Sequence, residues 1–210
     1  VQKYKSEFEQ FFQHYPEPIA ALDIEEMNFR MFCVLAVEIK PDLTVFVKLI
    51  AVDDIYPIER YAPPLRQQIR IWLKNLSGKY VISHGTNEEE VGMIKDAGHI
   101  QINTQDILHQ IRFLNSDYSI KIKGEGLKHF EEYIDFKRSG CEFLKHDIPS
   151  QLFFQEAMLS LDHHLSQIPQ RTCGICNKEQ DVLLYCLEDA FSSLLIHVYF
   201  VNREKSYLDF

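Results

Sequence analysis

The chain has 210 residues, 46% hydrophobic and 25% charged, which excludes disordered, collagen-like and low-complexity classes and suffices for one globular domain with a sizeable core. Lysine and arginine total 22 against 31 aspartate and glutamate; the formal charge of −9 excludes a broad basic surface for nucleic acid, so any phosphate contact has to be local or metal-mediated. The longest uninterrupted apolar run, Met31 to Val37, falls far short of the roughly 20 residues of a membrane span, and the first residues lack the basic, apolar, small-residue order of a signal peptide.

Tyr4 to Tyr15 carries Phe8, Phe11 and Phe12 at helical spacing and ends at Pro16 and Pro18, which predicts a short helix in an N-terminal extension, residues 1–18, packed on the body. Ile19 to Met27, Met31 to Ile39 and Thr44 to Val52 are consecutive runs rich in Val, Ile, Phe and Leu, broken near Asn28 and at Pro41-Asp42, the pattern of an antiparallel meander. Leu65, Ile69, Trp72, Leu73 and Leu76, between Pro63-Pro64 and Gly78, predict an amphipathic helix. A strand at Lys79 to Ser83 follows, then a helix over Glu88 to Ala97 with an acidic first turn, closed by Gly98, then a strand at His99 to Asn103. Beyond Gly126 the pattern is helical, over Leu127 to Ile134, Gln151 to Leu165 and Gln180 to Asn202. The whole reads as a single α/β domain over 1–210, a meander continued by two crossover strands in one sheet and flanked by helices.

Three acidic groups interrupt this apolar framework. Asp23 and Glu25 lie two apart in the first strand, where a period of two puts both on one face, and a metal ion is the economical compensation for two neighbouring buried carboxylates. Glu88, Glu89 and Glu90 open the helix after the fourth strand, the place where crossover folds set site residues, although the helix dipole selects acids there as well. Tyr185 and Asp189 share one face of the last helix; a phenol one turn from a cation-holding Asp is suited to orient a water for attack on phosphorus.

In this order, Asp23-x-Glu25, an acid after the fourth strand and Tyr185-x3-Asp189 resemble the DEDD exonucleases of the ribonuclease-H-like superfamily, the tyrosine marking the DEDDy branch. The run from Glu125 to Arg138, Glu-Gly-Leu-Lys-His-Phe-Glu-Glu-Tyr-Ile-Asp-Phe-Lys-Arg, is similar to the "sLK.le..lgf.r" segment of the predicted bacterial and archaeal exonucleases of that superfamily. Their closing Y-x3-D-A helix matches as well, so the resemblance extends from Ile19 to Asn202. It implies a ribonuclease-H-like five-stranded mixed sheet with three antiparallel strands followed by two parallel crossovers. It further implies two Mg²⁺ or Mn²⁺ ions and 3′–5′ hydrolysis of single-stranded DNA or RNA ends. Asp23 would bridge the ions, Glu25 and Asp189 would hold the one that activates water, and Tyr185 would place that water. Two features depart from the family: the usual E-T-x-G turn is replaced by Glu25-Glu26-Met27-Asn28, and the second motif is His84-Gly85-Thr86-Asn87-Glu88-Glu89. Counting from His84 selects Glu89, whereas the alternative "Y-G-x-x-E" form selects Glu88. An inactive ribonuclease-H-like module that binds a protein partner is the competing reading.

Five cysteines with a single CxxC fit reduced thiols and a cytoplasmic location better than a disulfide framework. Cys173-x2-Cys176 has zinc-knuckle spacing and Cys141 with His146 offers two more donors, but the wide second spacing and the long gap weigh against structural zinc and for thiols. His163-His164 reads as a solvated helix face, and Asp106 as a helix cap. Lys121, Lys123, Lys128, Lys137 and Arg138, interleaved with Glu125, Glu131, Glu132 and Asp135, read as a modest phosphate-guiding edge. Phe29, Tyr56, Phe113 and Tyr118 are available to stack on bases. The chain opens on Val1, which fits a piece of a larger parent chain.

Overall fold

Ile19-Ala20-Ala21-Leu22 does not alternate apolar with polar, and all four residues are buried, as befits a central strand covered on both faces. The computed structural model describes residues 4–27, 30–51, 71, 80–85, 103–108, 126–141 and 172–203. Within them β1 (Ile19–Met27), β2 (Arg30–Ile39), β3 (Val45–Ala51), β4 (Tyr80–Ser83) and β5 (Asn103–Asp106) form one sheet in the order β3-β2-β1-β4-β5. β1 pairs with β2, and β2 with β3, antiparallel; β1 with β4, and β4 with β5, run parallel. This is the mixed α/β sheet expected from the order of elements. Asp23 stands opposite Leu35, and the β1–β2 register shifts between Glu25 and Glu26, a local irregularity of the kind that re-aims a strand beside a site.

The sequence places the fifth strand at His99 to Asn103; residues 99–102 lie outside the described residues, and the described strand continues from Asn103 to Asp106. Asn-Thr-Gln-Asp carries no apolar alternation, and its parallel ladder to β4 supplies the strand character instead. Of the helix expected over residues 65–76 only Ile71 is described, and it is helical; the helices expected over 88–97 and 151–165 lie outside the described residues.

Helices α1 (Lys5–His14), α2 (Leu127–Tyr133) and α3 (Val182–Arg203) pack on the sheet or on one another. The Asp181 carboxylate accepts the N–H groups of Leu183 (2.8 Å) and Leu184 (3.1 Å), capping the start of α3. From Leu183 to Arg203 α3 is long and apolar enough to cross a membrane, but its most apolar window is 72% buried inside the protein, where it lies against β1, β2 and β4. It is the central core helix of the sheet.

Phe8, Phe11 and Phe12 of α1 join the same core. Phe8 meets Phe191 of α3, and Phe11 lies edge-on to His197. A polar clamp closes the pair: Arg203 donates to both Glu7 oxygens at 3.0 Å, and Asn202 Nδ2 donates to the Glu7 carbonyl at 2.8 Å. The hydrogen bond from Arg203 holds the Glu7 carboxyl below its ordinary range.

His197 lies in the interior of α3, 4% exposed, and burial lowers its pKa from 6.5 to about 4. Between these values the unfolded chain binds a proton that the folded chain refuses, so stability falls as pH drops from 6.5 to about 4. The expected loss is about 3 kcal/mol. Urea denaturation across this pH range measures it; an unchanged slope in His197→Phe would show that other groups carry the effect.

Candidate functional site

One cleft of about 530 Å³ collects side chains from elements far apart in sequence. Asp23 enters from β1, Tyr185 and Asp189 from α3, His84 from the end of β4, and Lys128, His129 and Glu132 from α2. Tyr185 and Asp189 are one helical turn apart on the same face of α3, and the phenol acts to lower the Asp189 carboxyl, the smallest of several influences on it.

An arginine occupies the wall of this cleft. Arg138, its side chain 2% exposed, donates from Nε to both oxygens of Glu131 at 2.9 and 3.1 Å, and its Nη2 reaches Glu131 and Asp189. The guanidinium also stands 5.2 Å from the centre of the Tyr185 ring. Burial opposes the charge on Arg138, but the Glu131 hydrogen bonds and the charges of Asp189 and Glu131 outweigh it and hold the guanidinium above its ordinary pKa. Burial pushes the Asp189 carboxyl above its ordinary range, with Arg138 pulling in the opposite direction.

The expectation that Arg138 belongs to an exposed phosphate-guiding edge is therefore corrected. The end of α2 explains why. Asp135 takes a left-handed φ of 54°, Phe136 N donates to Glu131 O at 2.7 Å, and Asp135 N to Glu132 O at 3.3 Å, a Schellman reversal that turns the chain back toward α3. Lys137, one residue earlier, stays exposed beside Asp135. Lys128 lines the cleft, and Lys121 and Lys123 lie outside the described residues.

The segment after Arg138 is anchored to α3 by Glu188. Its Oε1 accepts the backbone N–H of Ser139 at 2.6 Å and the Ser139 hydroxyl at 2.7 Å, and Gly140 N donates to the same carboxylate at 3.3 Å. A Cβ on Gly140 would stand 3.1 Å from Leu184 and 3.2 Å from Glu188, so any side chain here would have to push both back by a few tenths of an ångström. On the opposite side, Lys178 Nζ donates to Arg138 O at 2.9 Å.

His84 is held by its neighbour. Gly85 adopts φ +65° and donates to Asp106 Oδ1 at 2.9 Å, the same oxygen that accepts Leu108 N at 2.9 Å. Asp106 thus caps the residues after β5, as its position predicts, and also ties the end of β4 to the end of β5.

Of the expected metal ligands, Asp23 and Asp189 share the cleft. The backbone of Glu25 pairs with Cys33, but its side chain, together with Glu88, Glu89 and Glu90, lies outside the described residues. Asp23, Glu131 and Asp189 against Arg138 leave a charge of two negative, and the first and last offer hard oxygen donors. Asp189 is already engaged by Arg138, so a cation held here would share that carboxylate with the guanidinium. Sequence reasoning missed Glu131 and Glu188. Their buried roles leave no mark that separates them from solvated glutamates.

Among the candidate zinc donors, Cys141, Cys173 and Cys176 converge with their sulfurs within 4.8 Å of one another. His146, His163 and His164 lie outside the described residues, as do the side chains of Phe29, Tyr56, Phe113 and Tyr118. No protein-family model and no curated protein matches the chain.

Proposed function

We propose that this cleft is the active site of a divalent-metal-dependent 3′–5′ exonuclease of the ribonuclease-H-like, DEDDy type, acting on single-stranded DNA or RNA ends. One observation carries the reading: Asp23 on the central strand and the Tyr185–Asp189 pair on the last helix, the two ends of the motif series, line the same cleft. A mixed sheet whose first three strands are antiparallel supports it as well. A bound divalent ion supplies the charge that lowers the pKa of an attacking water and stabilises the leaving oxygen.

The chain's own groups prepare that chemistry. Asp23 and Asp189 present oxygens to a cation. Arg138 fixes the orientation of Asp189 and offsets part of the acidic charge, so that a phosphodiester is not repelled outright. The Tyr185 hydroxyl, one turn from Asp189 and with the Arg138 guanidinium 5.2 Å from its ring, would orient a water for a cation held by the aspartates. His84 and Lys128 border the cleft where a phosphate would arrive.

A second reading, an inactive module of the same fold that binds a protein partner, is favoured by one feature: a side-chain cation already engages Asp189. Manganese separates the two. A built site predicts a rise in melting temperature of about 5–10 °C at metal a hundredfold above its Kd, lost in Asp23→Asn. It also predicts shortening of 5′-labelled single strands from the 3′ end, with DNA and RNA tested in parallel. No shift at millimolar Mn²⁺ and no cleavage would favour the module.

A further inference from the structure

We propose that Cys141, Cys173 and Cys176 form a zinc site, separate from the acidic cleft, that clamps the segment carrying Arg138. Three sulfurs within 4.8 Å of one another exceed what a disulfide uses and match what a tetrahedral thiolate site needs. With Zn–S bonds of about 2.3 Å, sulfurs on a common ion stand about 3.8 Å apart, so closing onto a metal asks for side-chain adjustments of an ångström or less.

The backbone is already folded for it. Cys173 N donates to Lys178 O at 2.8 Å and Asn177 N to Cys173 O at 2.9 Å, while Asn177 takes the left-handed φ of 57° that closes the turn. The N–H groups of Cys176 and Ile175 point at the Cys173 sulfur. Across from this turn, Cys141 N donates to Glu179 O at 2.7 Å, which brings the third sulfur into line. Apolar packing does not account for the turn: Gly174 is exposed and Ile175, at its tip, is 75% exposed. No disulfide joins the described cysteines.

Thiolates are soft donors that select zinc over magnesium or manganese, so the two centres sort their metals by ligand chemistry. Three thiols lose protons on binding, and the fourth tetrahedral position takes a nitrogen or oxygen donor. The clamp reaches the cleft through a short path. Cys141 follows Arg138 by three residues, and Lys178, two beyond Cys176, holds the Arg138 carbonyl. In this role the metal positions Arg138 and touches nothing that reacts.

The test is metal content and a spectrum, both independent of whether the cleft cleaves anything. Protein purified under reducing conditions without chelator is expected to carry one zinc per chain by mass spectrometry, and the Cys173→Ser, Cys176→Ser double variant close to none. Should that variant fail to fold, the wild-type chain still decides. Cobalt exchanged into it is expected to give thiolate-to-metal charge transfer and tetrahedral visible bands. Zinc-free wild-type protein that develops no such bands with added Co²⁺ overturns the proposal. An intact mass lacking two hydrogens in the reduced preparation, the mark of a Cys173–Cys176 disulfide, overturns it too.

Discussion

Arg138→Met is expected to destabilise the fold by about 3–5 kcal/mol, since it leaves Glu131 and Asp189 side by side without their counter-charge. The loss is large because the side chain is 2% exposed, so water does not replace what the guanidinium gave. Neutralising one of the two partners as well, in Arg138→Met with Glu131→Gln, removes one of the two stranded charges and is expected to recover part of the loss, with Asp189 carrying the remainder. Urea denaturation of the single and double variants measures both effects. A cost below about 1 kcal/mol for the single variant, the range of solvated ion pairs, would contradict the buried placement.

In the nuclease reading, Asp23→Asn and Asp189→Asn are expected to remove hydrolysis, while Tyr185→Phe lowers it by about 10²–10³-fold with the Mn²⁺-induced thermal shift intact. The contrast follows from the roles. The aspartates supply the oxygens a cation needs, whereas the phenol only orders a water beside it. Loss of the phenolic oxygen leaves the Arg138–Asp189 pair in place. Single-turnover hydrolysis of a labelled strand, run beside melting curves with and without Mn²⁺, provides both readouts. Full activity in the Asp23→Ala, Asp189→Ala double variant would end the assignment.

The strands of the meander and the last helix are legible because periodicity reflects burial directly, whereas the meeting of Asp23 with Tyr185 and Asp189 is what the resemblance implies. The extension of β5 to Asp106 is not legible because Asn103 to Asp106 has no hydrophobic signature; its ladder to β4 makes it a strand. Arg138 was misread because charge counted along a sequence cannot tell a guanidinium turned inward by a Schellman reversal from one in water. The three cysteines illustrate the same limit. Their separation along the chain argued against a common site, yet the bridges of Glu179 to Gly140 and Thr172 bring the two segments together.

The Glu7–Arg203 clamp has a consequence for synthesis. Phe8, Phe11 and Phe12 leave the ribosome well before the residues that cover them, Phe191 and His197 among them, which come nearly two hundred positions later. The aromatic face of α1 must therefore wait uncovered until α3 emerges, a span on the order of ten seconds or more. That interval is when a chaperone would hold the nascent chain, and docking of α1 is a late event in reaching the native state.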